Sequence, residues 1–224
     1  MAKKIAIAID GPSASGKTSA ARLLAKKLGY RYLDTGLLYR AVAWIVLREK
    51  LDPSDEREVG RLLGKNRISV EQKGDRFAIR VNATDVTDWL KTPDLSRISS
   101  LISRYREVRR NLVELQKEVG KQEGVILVGR DIGTEILPDA PVKFYMDASI
   151  EVRGKRRFDE LAARGFKGTL EETLREMTER DRQDRERAIA PMKRASDAIY
   201  LDTSGASLDG VVNQMAEWVA KRSS

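Results

Sequence analysis

The chain has 224 residues, enough to bury one substantial core with an inserted subdomain, and carries a formal charge of +8. It has no cysteine and no histidine, which excludes disulfides, Cys/His metal centres and histidine general bases and leaves chemistry to Lys, Arg, Asp, Ser and Tyr. Arginine outnumbers lysine, a balance suited to bidentate grip on phosphate, with about half of these side chains expected simply to face solvent.

No run of eighteen apolar residues is present, and Lys3-Lys4 leads into the first strand without a cleavable signal pattern. A soluble, cytoplasmic monomer with no membrane partner is expected. No nucleic-acid module or aromatic stacking platform is evident, so no nucleic-acid partner is expected either.

Residues 5–10 form an apolar strand. Directly after it, Gly11-Pro12-Ser13-Ala14-Ser15-Gly16-Lys17-Thr18 matches G-x-x-x-x-G-K-[ST] and opens a helical pattern over 17–28. Terminal glycines let the backbone wrap a polyphosphate, the N–H groups face inward, and the positive end of the helix favours the anion. Lys17 is placed to reach the β and γ phosphates, and Thr18 to hold Mg²⁺. A second strand at 31–33 runs into Asp34-Thr35-Gly36-Leu37-Leu38-Tyr39-Arg40 and a helix over 36–49. Loops at the carboxyl ends of parallel strands share one crevice, so Thr35 and Arg40 are candidates for a second phosphate. Asp34 or Thr35 also serves as a helix cap, and one residue can do both.

The stretch 65–90 breaks the alternation of strand and helix. Ile68-Ser69-Val70-Glu71, a turn at Lys73-Gly74-Asp75, and Phe77-Ala78-Ile79-Arg80-Val81 read as a half-exposed hairpin, followed by helices near 93–120. Strands return at 125–128, 142–147 and 198–201, with helices over 149–164, 169–187 and 207–221. Strand alternating with helix predicts an α/β fold with a parallel five-stranded sheet flanked by helices.

Gly129-Arg130-Asp131-Ile132-Gly133-Thr134 follows the third of these strands. An Arg-Asp pair between glycines at a crevice edge is hard to justify as packing, the alternative being a surface ion pair. Arg164-Gly165-Phe166-Lys167-Gly168 reads as a lid turn or a plain interhelical loop. In Glu179-Arg180-Asp181-Arg182-Gln183-Asp184-Arg185-Glu186-Arg187, helical spacing puts Arg180, Asp184 and Arg187 on one face, as a ligand-facing stripe or as part of a salt-bridged exposed helix.

These motifs, with Asp10 before the P-loop and Pro138-Asp139-Ala140-Pro141, resemble the bacterial cytidylate (CMP) kinases nearly end to end. The resemblance implies a P-loop nucleoside monophosphate kinase that moves the γ-phosphoryl group of ATP, with Mg²⁺, to CMP and dCMP. It implies a core of 1–64 and 121–224, a lid at about 153–187 and an NMP-binding insert at 65–120. Carried over, Gly11 to Ser19 hold ATP, joined by Arg156 and Arg157 from the helix leading to the lid. Asp34, Thr35, Arg40, Arg130 and Arg187 meet the acceptor and its phosphate. Tyr39 and Asp184 lie near the sugar, Arg180 near phosphate or sugar, and Ser100, Arg109 and Asp131 at the cytosine edge. Lys17, Arg130, Arg180 and Arg187 carry the transfer.

One position departs from the pattern: Val128 stands where family members carry Asp or Glu before Gly-Arg-Asp. Its metal role is then moved to a neighbour such as Asp34, weakened, or dispensable. A UMP or dTMP kinase, or a P-loop switch without transfer activity, is the competing reading. Chemistry does not require histidine here, because a monophosphate attacks through an oxygen that is already anionic.

Overall fold

The computed structural model describes residues 4–223; residues 1–3, where the expected core begins, and Ser224, where it ends, lie outside the described residues. The chain runs β1 (Ile7–Asp10), α1 (Lys17–Leu28), β2 (Arg31–Asp34), α2 (Gly36–Arg48), α3 (Glu56–Lys65), β3 (Ile68–Lys73), β4 (Arg76–Val81) and β5 (Thr84–Asp85). It continues through α4 (Pro93–Ile102), α5 (Arg106–Gly120), β6 (Val125–Val128), β7 (Val142–Asp147), α6 (Ile150–Ala162), α7 (Leu170–Glu186), β8 (Ile199–Asp202) and α8 (Leu208–Arg222).

The five expected strands pair in parallel in the order β2-β6-β1-β7-β8. Both faces of this sheet are covered, which is why β1 and β6 read as unbroken apolar runs rather than alternating ones. Successive side chains still part to opposite faces. Ala8, Val125 and Leu127 join the core under α2, α4 and α5, while Ile7, Ile9, Ile126 and Val128 join the core under α1 and α8. The β3–β4 hairpin forms as read, with β4 also taking β5 as an antiparallel partner. It continues the sheet beyond β2 through one bridged pair, Tyr32 with Arg76.

Helix α3 was not among the expected elements, although Val59, Leu62 and Leu63 recur at helical spacing. Asp55 caps it by accepting from Glu58 N at 3.0 Å. Helix α7 starts with a reciprocal capping box between Thr169 and Glu172. It packs so tightly on α6 that a Cβ on Gly154 would come within 2.2 Å of Leu174. The loop between α6 and α7 reaches the inserted segment, where Arg164 Nη1 donates to Lys91 O at 2.7 Å. Among the described residues no helix is long and apolar enough to cross a membrane.

Candidate active site

The loop after β1 takes a conformation that its sequence permits at two glycines and forces at one alanine. Gly11 has φ +142°, and a Cβ there would lie 1.9 Å from Met146 O; Gly16 has φ +88°. Ala14 also sits in the left-handed region, at φ 58°, a strained setting of the kind stored at functional sites. Helix α1 begins after Gly16 with no side-chain cap, so its first N–H groups are free to meet an anion. Lys17 folds back on the loop, donating to Pro12 O and to Ser15 Oγ at 3.1 Å. Burial, aided by Arg130, pushes its ammonium well below the usual lysine range, against the pull of Asp34, Asp10 and Asp181. An arriving polyphosphate reverses that imbalance by supplying the counter-charge.

Thr18 Oγ1 donates to Asp34 Oδ2 at 2.9 Å. Asp34 Oδ1 accepts from Gly36 N at 3.1 Å, so Asp34 rather than Thr35 meets the start of α2. Asp34 is the register partner of Val128 on the adjacent strand, which places a carboxylate one strand away from where Val128 offers none. A hydroxyl and a carboxylate oxygen beside the phosphate loop suit Mg²⁺, a hard cation that keeps most of its waters and takes few protein ligands. Among the described residues there is no group of three or more acidic side chains that could hold a metal by itself.

The Gly129-Arg130-Asp131 loop is fixed from below by Asp10, whose carboxylate accepts from Ile132 N at 2.8 Å and Gly133 N at 2.7 Å. Burial raises this carboxyl to about 6, and the two N–H groups only partly offset it. Asp131 is bound by Arg109 Nη2 and lies 3.2 Å from Arg187 Nη2. Arg130 Nε donates to Asp184 Oδ2 at 3.1 Å. Burial opposes ionisation of Asp184, yet Arg130, Arg180 and Arg187 together hold it below the usual carboxylate range. Helix α7 ends at Glu186, so Arg187 is not its last helical residue as the spacing implied; extended backbone at Arg187 still returns its side chain to Asp131.

These elements enclose a cavity of about 720 Å³. Its wall includes Ser13, Ala14, Gly16, Lys17, Thr18 and Ser19 on the P-loop side. It also includes Asp34, Thr35, Tyr39, Arg40, Ser100, Arg130, Asp131, Arg157, Arg180, Asp184 and Arg187. Gly11, Pro12 and Ser15 shape the loop from behind. Arg109 stands behind Asp131 and under the Tyr39 ring, reaching the cavity through its carboxylate partner. Arg156 turns away from the cavity altogether, to Thr203. Thr35 lines the cavity with its hydroxyl hydrogen already given to Val128 O at 2.9 Å.

Several buried polar atoms on that wall lack hydrogen-bond partners: Ser100 Oγ, Arg180 Nε and, despite its nearby carboxylate, Arg187 Nη2. Burial and Arg130 lower Arg180 to about 10, and burial likewise lowers Arg40. A convergence of underpaired guanidiniums is suited to an anion. Sequence reasoning missed Glu160 and placed Arg164 only in a lid turn or interhelical loop; both also line the cavity. Glu160 pairs with Arg157 and Arg164, each at 2.9 Å, and spacing of three and four residues on a helix was the available signal.

Lys17 and the start of α1 thus share one cavity with Arg40, Arg130, Arg180 and Arg187, and the comparisons with known proteins say which kind of chain builds it. The family model described as Cytidylate kinase matches residues 7–221. The chain belongs to the cytidylate kinase family. Cytidylate kinase from Bacillus subtilis is 40% identical over 223 residues, covering 100% of both chains. That from Citrifermentans bemidjiense is 42% identical over 218 residues, covering 97% of this chain and 94% of the other. More distant solved structures share the fold alone. A protein from Eubacterium ventriosum superimposes with a TM-score of 0.58 at 14% identity, covering 98% of this chain and 100% of that one. A gluconokinase from Sinorhizobium meliloti does so with 0.51 at 13%, covering 97% and 93%. Family membership favours cytidylate over the other monophosphates as acceptor, and a transferase over a switch.

Proposed function

We propose that this protein transfers the γ-phosphoryl group of ATP to CMP and dCMP, giving CDP or dCDP and ADP. The observation that carries the reading is the single cavity in which Lys17 and the start of α1 stand on one wall and Arg40, Arg130, Arg180 and Arg187 on another. A switch protein has no use for the second anion site.

The P-loop N–H groups and Lys17 hold the donor phosphates, and the four arginines hold the acceptor phosphate in line with them. An anionic acceptor oxygen forms a bond to the γ phosphorus as the bond to the β–γ bridging oxygen breaks, and ADP leaves with that electron pair. No proton must be removed, so positioning and charge neutralisation carry the catalysis. Thr18 would hold Mg²⁺ with Asp34 orienting its water shell, and when bound this ion neutralises charge on the donor phosphates.

Asp131 supplies base choice. Held by Arg109 and Arg187, its oxygens are placed to accept from the amino group of cytosine, whereas the carbonyl oxygen of uracil has no hydrogen to give at the same place. Ser100 offers a further hydroxyl there. Segment 65–120 acts as the acceptor-binding insert and 153–187 as the lid on a core of 1–64 and 121–224. Arg164, reaching Lys91 across the cleft, closes the site against water. A monomer working in cytoplasmic pyrimidine nucleotide metabolism is the setting we infer.

The test is ADP formation from ATP with CMP, dCMP, UMP or dTMP as the added acceptor. Fast ADP production with CMP and dCMP, and little with UMP or dTMP, is expected. Equal rates with all four, or ADP production that ignores the acceptor, would overturn the assignment.

A further inference from the structure

A loop that turns its peptide N–H groups inward to an anion turns carbonyl oxygens outward. Where that outer side is buried, each carbonyl needs a donor, because an unpaired one opposes the conformation. Here the donors come from the far end of the chain. The hydroxyl of Thr203, one residue past β8, lies 3.1 Å from both Ser15 O and Asp147 O. Asp147 O is already served by Thr203 N at 2.8 Å. Arg156 Nη1 donates to the hydroxyl oxygen at 3.1 Å, leaving the single hydroxyl hydrogen for Ser15 O. Arg156 is itself anchored through Nη2 on Thr203 O at 2.6 Å.

A second donor reaches the loop at Ser13. Arg153 Nη1 lies 3.4 Å from Ser13 O and 2.5 Å from Asp181 Oδ2, and its Nε donates to Ala148 O at 2.9 Å. Arg153 and Thr203 are each only 4% exposed, and neither they nor Arg156 line the nucleotide cavity. So much buried polar machinery outside the site is unexplained by substrate contact.

We propose that Arg153, Arg156 and Thr203 form an outer brace on the P-loop, holding the carbonyls of Ser13 and Ser15 outward so that the facing N–H groups stay aimed at the donor phosphates. They are positioning residues. Both arginines lie on α6, the first helix of the lid, so the brace also ties lid placement to the shape of the loop. The inference rests on the reading of the P-loop as the ATP site, and it gives Arg156 a role in ATP binding that runs through Thr203 and Ser15.

The experiment is calorimetric titration of a non-hydrolysable ATP analogue with Mg²⁺, and separately of CMP, into wild type, Thr203→Val and Thr203→Ser, with thermal melts alongside. Valine keeps the volume and removes the hydroxyl; serine returns it. Thr203→Val should weaken the ATP analogue about tenfold while CMP affinity stays within about twofold, and Thr203→Ser should restore most of the loss. A merely structural role would lower the melting temperature and weaken both ligands alike, and that result, or unchanged analogue affinity in Thr203→Val, would overturn the brace. If Thr203→Val melts below the assay temperature, Arg156→Met gives the answer, with a loss of about threefold for the analogue alone expected and no selective loss refuting the proposal. Failure of the wild type to bind the analogue would overturn the ATP reading, and the brace with it.

Discussion

The donor end of the cavity is built from consecutive residues and mostly from backbone, whereas the acceptor end is built from side chains gathered from distant parts of the chain. At the first, the lining comes from Ser13, Ala14 and Gly16 to Ser19, with Gly11, Pro12 and Ser15 shaping the loop behind them. At the second, Arg40 comes from α2, Ser100 from α4, Arg130 and Asp131 from the loop after β6, and Arg180 and Asp184 from α7. A backbone site recognises any polyphosphate and depends on loop shape. A side-chain network can discriminate between bases, but its arginines and aspartates hold one another, so a change at one is felt by its partners.

The largest expected effect lies at the donor end, where one side chain carries the charge. Lys17→Ala should lower kcat by about 10³-fold or more, with the melting temperature little changed, as Lys17 bonds only to its own loop. A variant keeping more than about a tenth of wild-type turnover would show that the loop does not hold the transferring phosphates.

At the acceptor end the effect should fall on selectivity. Arg109→Met leaves Asp131 with Arg187 alone of its two buried partners, so kcat/KM for CMP should fall and the CMP-to-UMP ratio narrow by about 100-fold. Parallel kinetics with both acceptors check this. An unchanged ratio would remove Asp131 and Arg109 from base reading.

Asp10 joins the two ends, since it precedes the P-loop and caps the loop that carries Arg130 and Asp131. Its folded value of about 6 lies above the ordinary aspartate value of 3.8, so folding favours the protonated form. That contribution is complete below pH ~4 and is lost as pH rises through ~6. Relative to Asp10→Asn, wild-type stability should therefore decline by about 3 kcal/mol between pH 4 and 7. Denaturation of both proteins at several pH values measures the difference, and a difference independent of pH would contradict it.

The smallest effect is expected at Val128, buried beside Asp34. Because the Thr18–Asp34 oxygen pair already fits Mg²⁺, Val128→Asp should lower the Mg²⁺ concentration for half-maximal CMP phosphorylation only by about threefold. An unchanged midpoint in a variant of wild-type thermal stability would leave this position without a metal role.

The same contrast explains what the sequence made legible. A P-loop is one contiguous word between a strand and a helix, and the five buried parallel strands are apolar enough to stand out. Helix α3 was lost because its apolar stripe, Val59, Leu62 and Leu63, spans barely one turn of a charged stretch. The link from Tyr32 to Arg76 that extends the sheet rests on a single bridged pair and leaves no pattern. Most of the residues proposed to meet the acceptor were named through family resemblance, as no local rule connects Arg130 to Asp184. Arg156 was expected to meet ATP, and nothing in its neighbourhood foretold that it turns to Thr203. That contact, and the one from Arg153 to Ser13, exist only once folding brings α6 beside the P-loop and the residue after β8.

The central claim is that both anion sites belong to one cavity and are occupied together. A bisubstrate analogue, in which a chain of five phosphates joins cytidine to adenosine, tests it most directly by calorimetry with ATP and CMP as competitors. One analogue should bind per chain, more tightly than either nucleotide alone, and be displaced by both. Displacement by ATP but not CMP, or affinity no better than that of ATP, would contradict it.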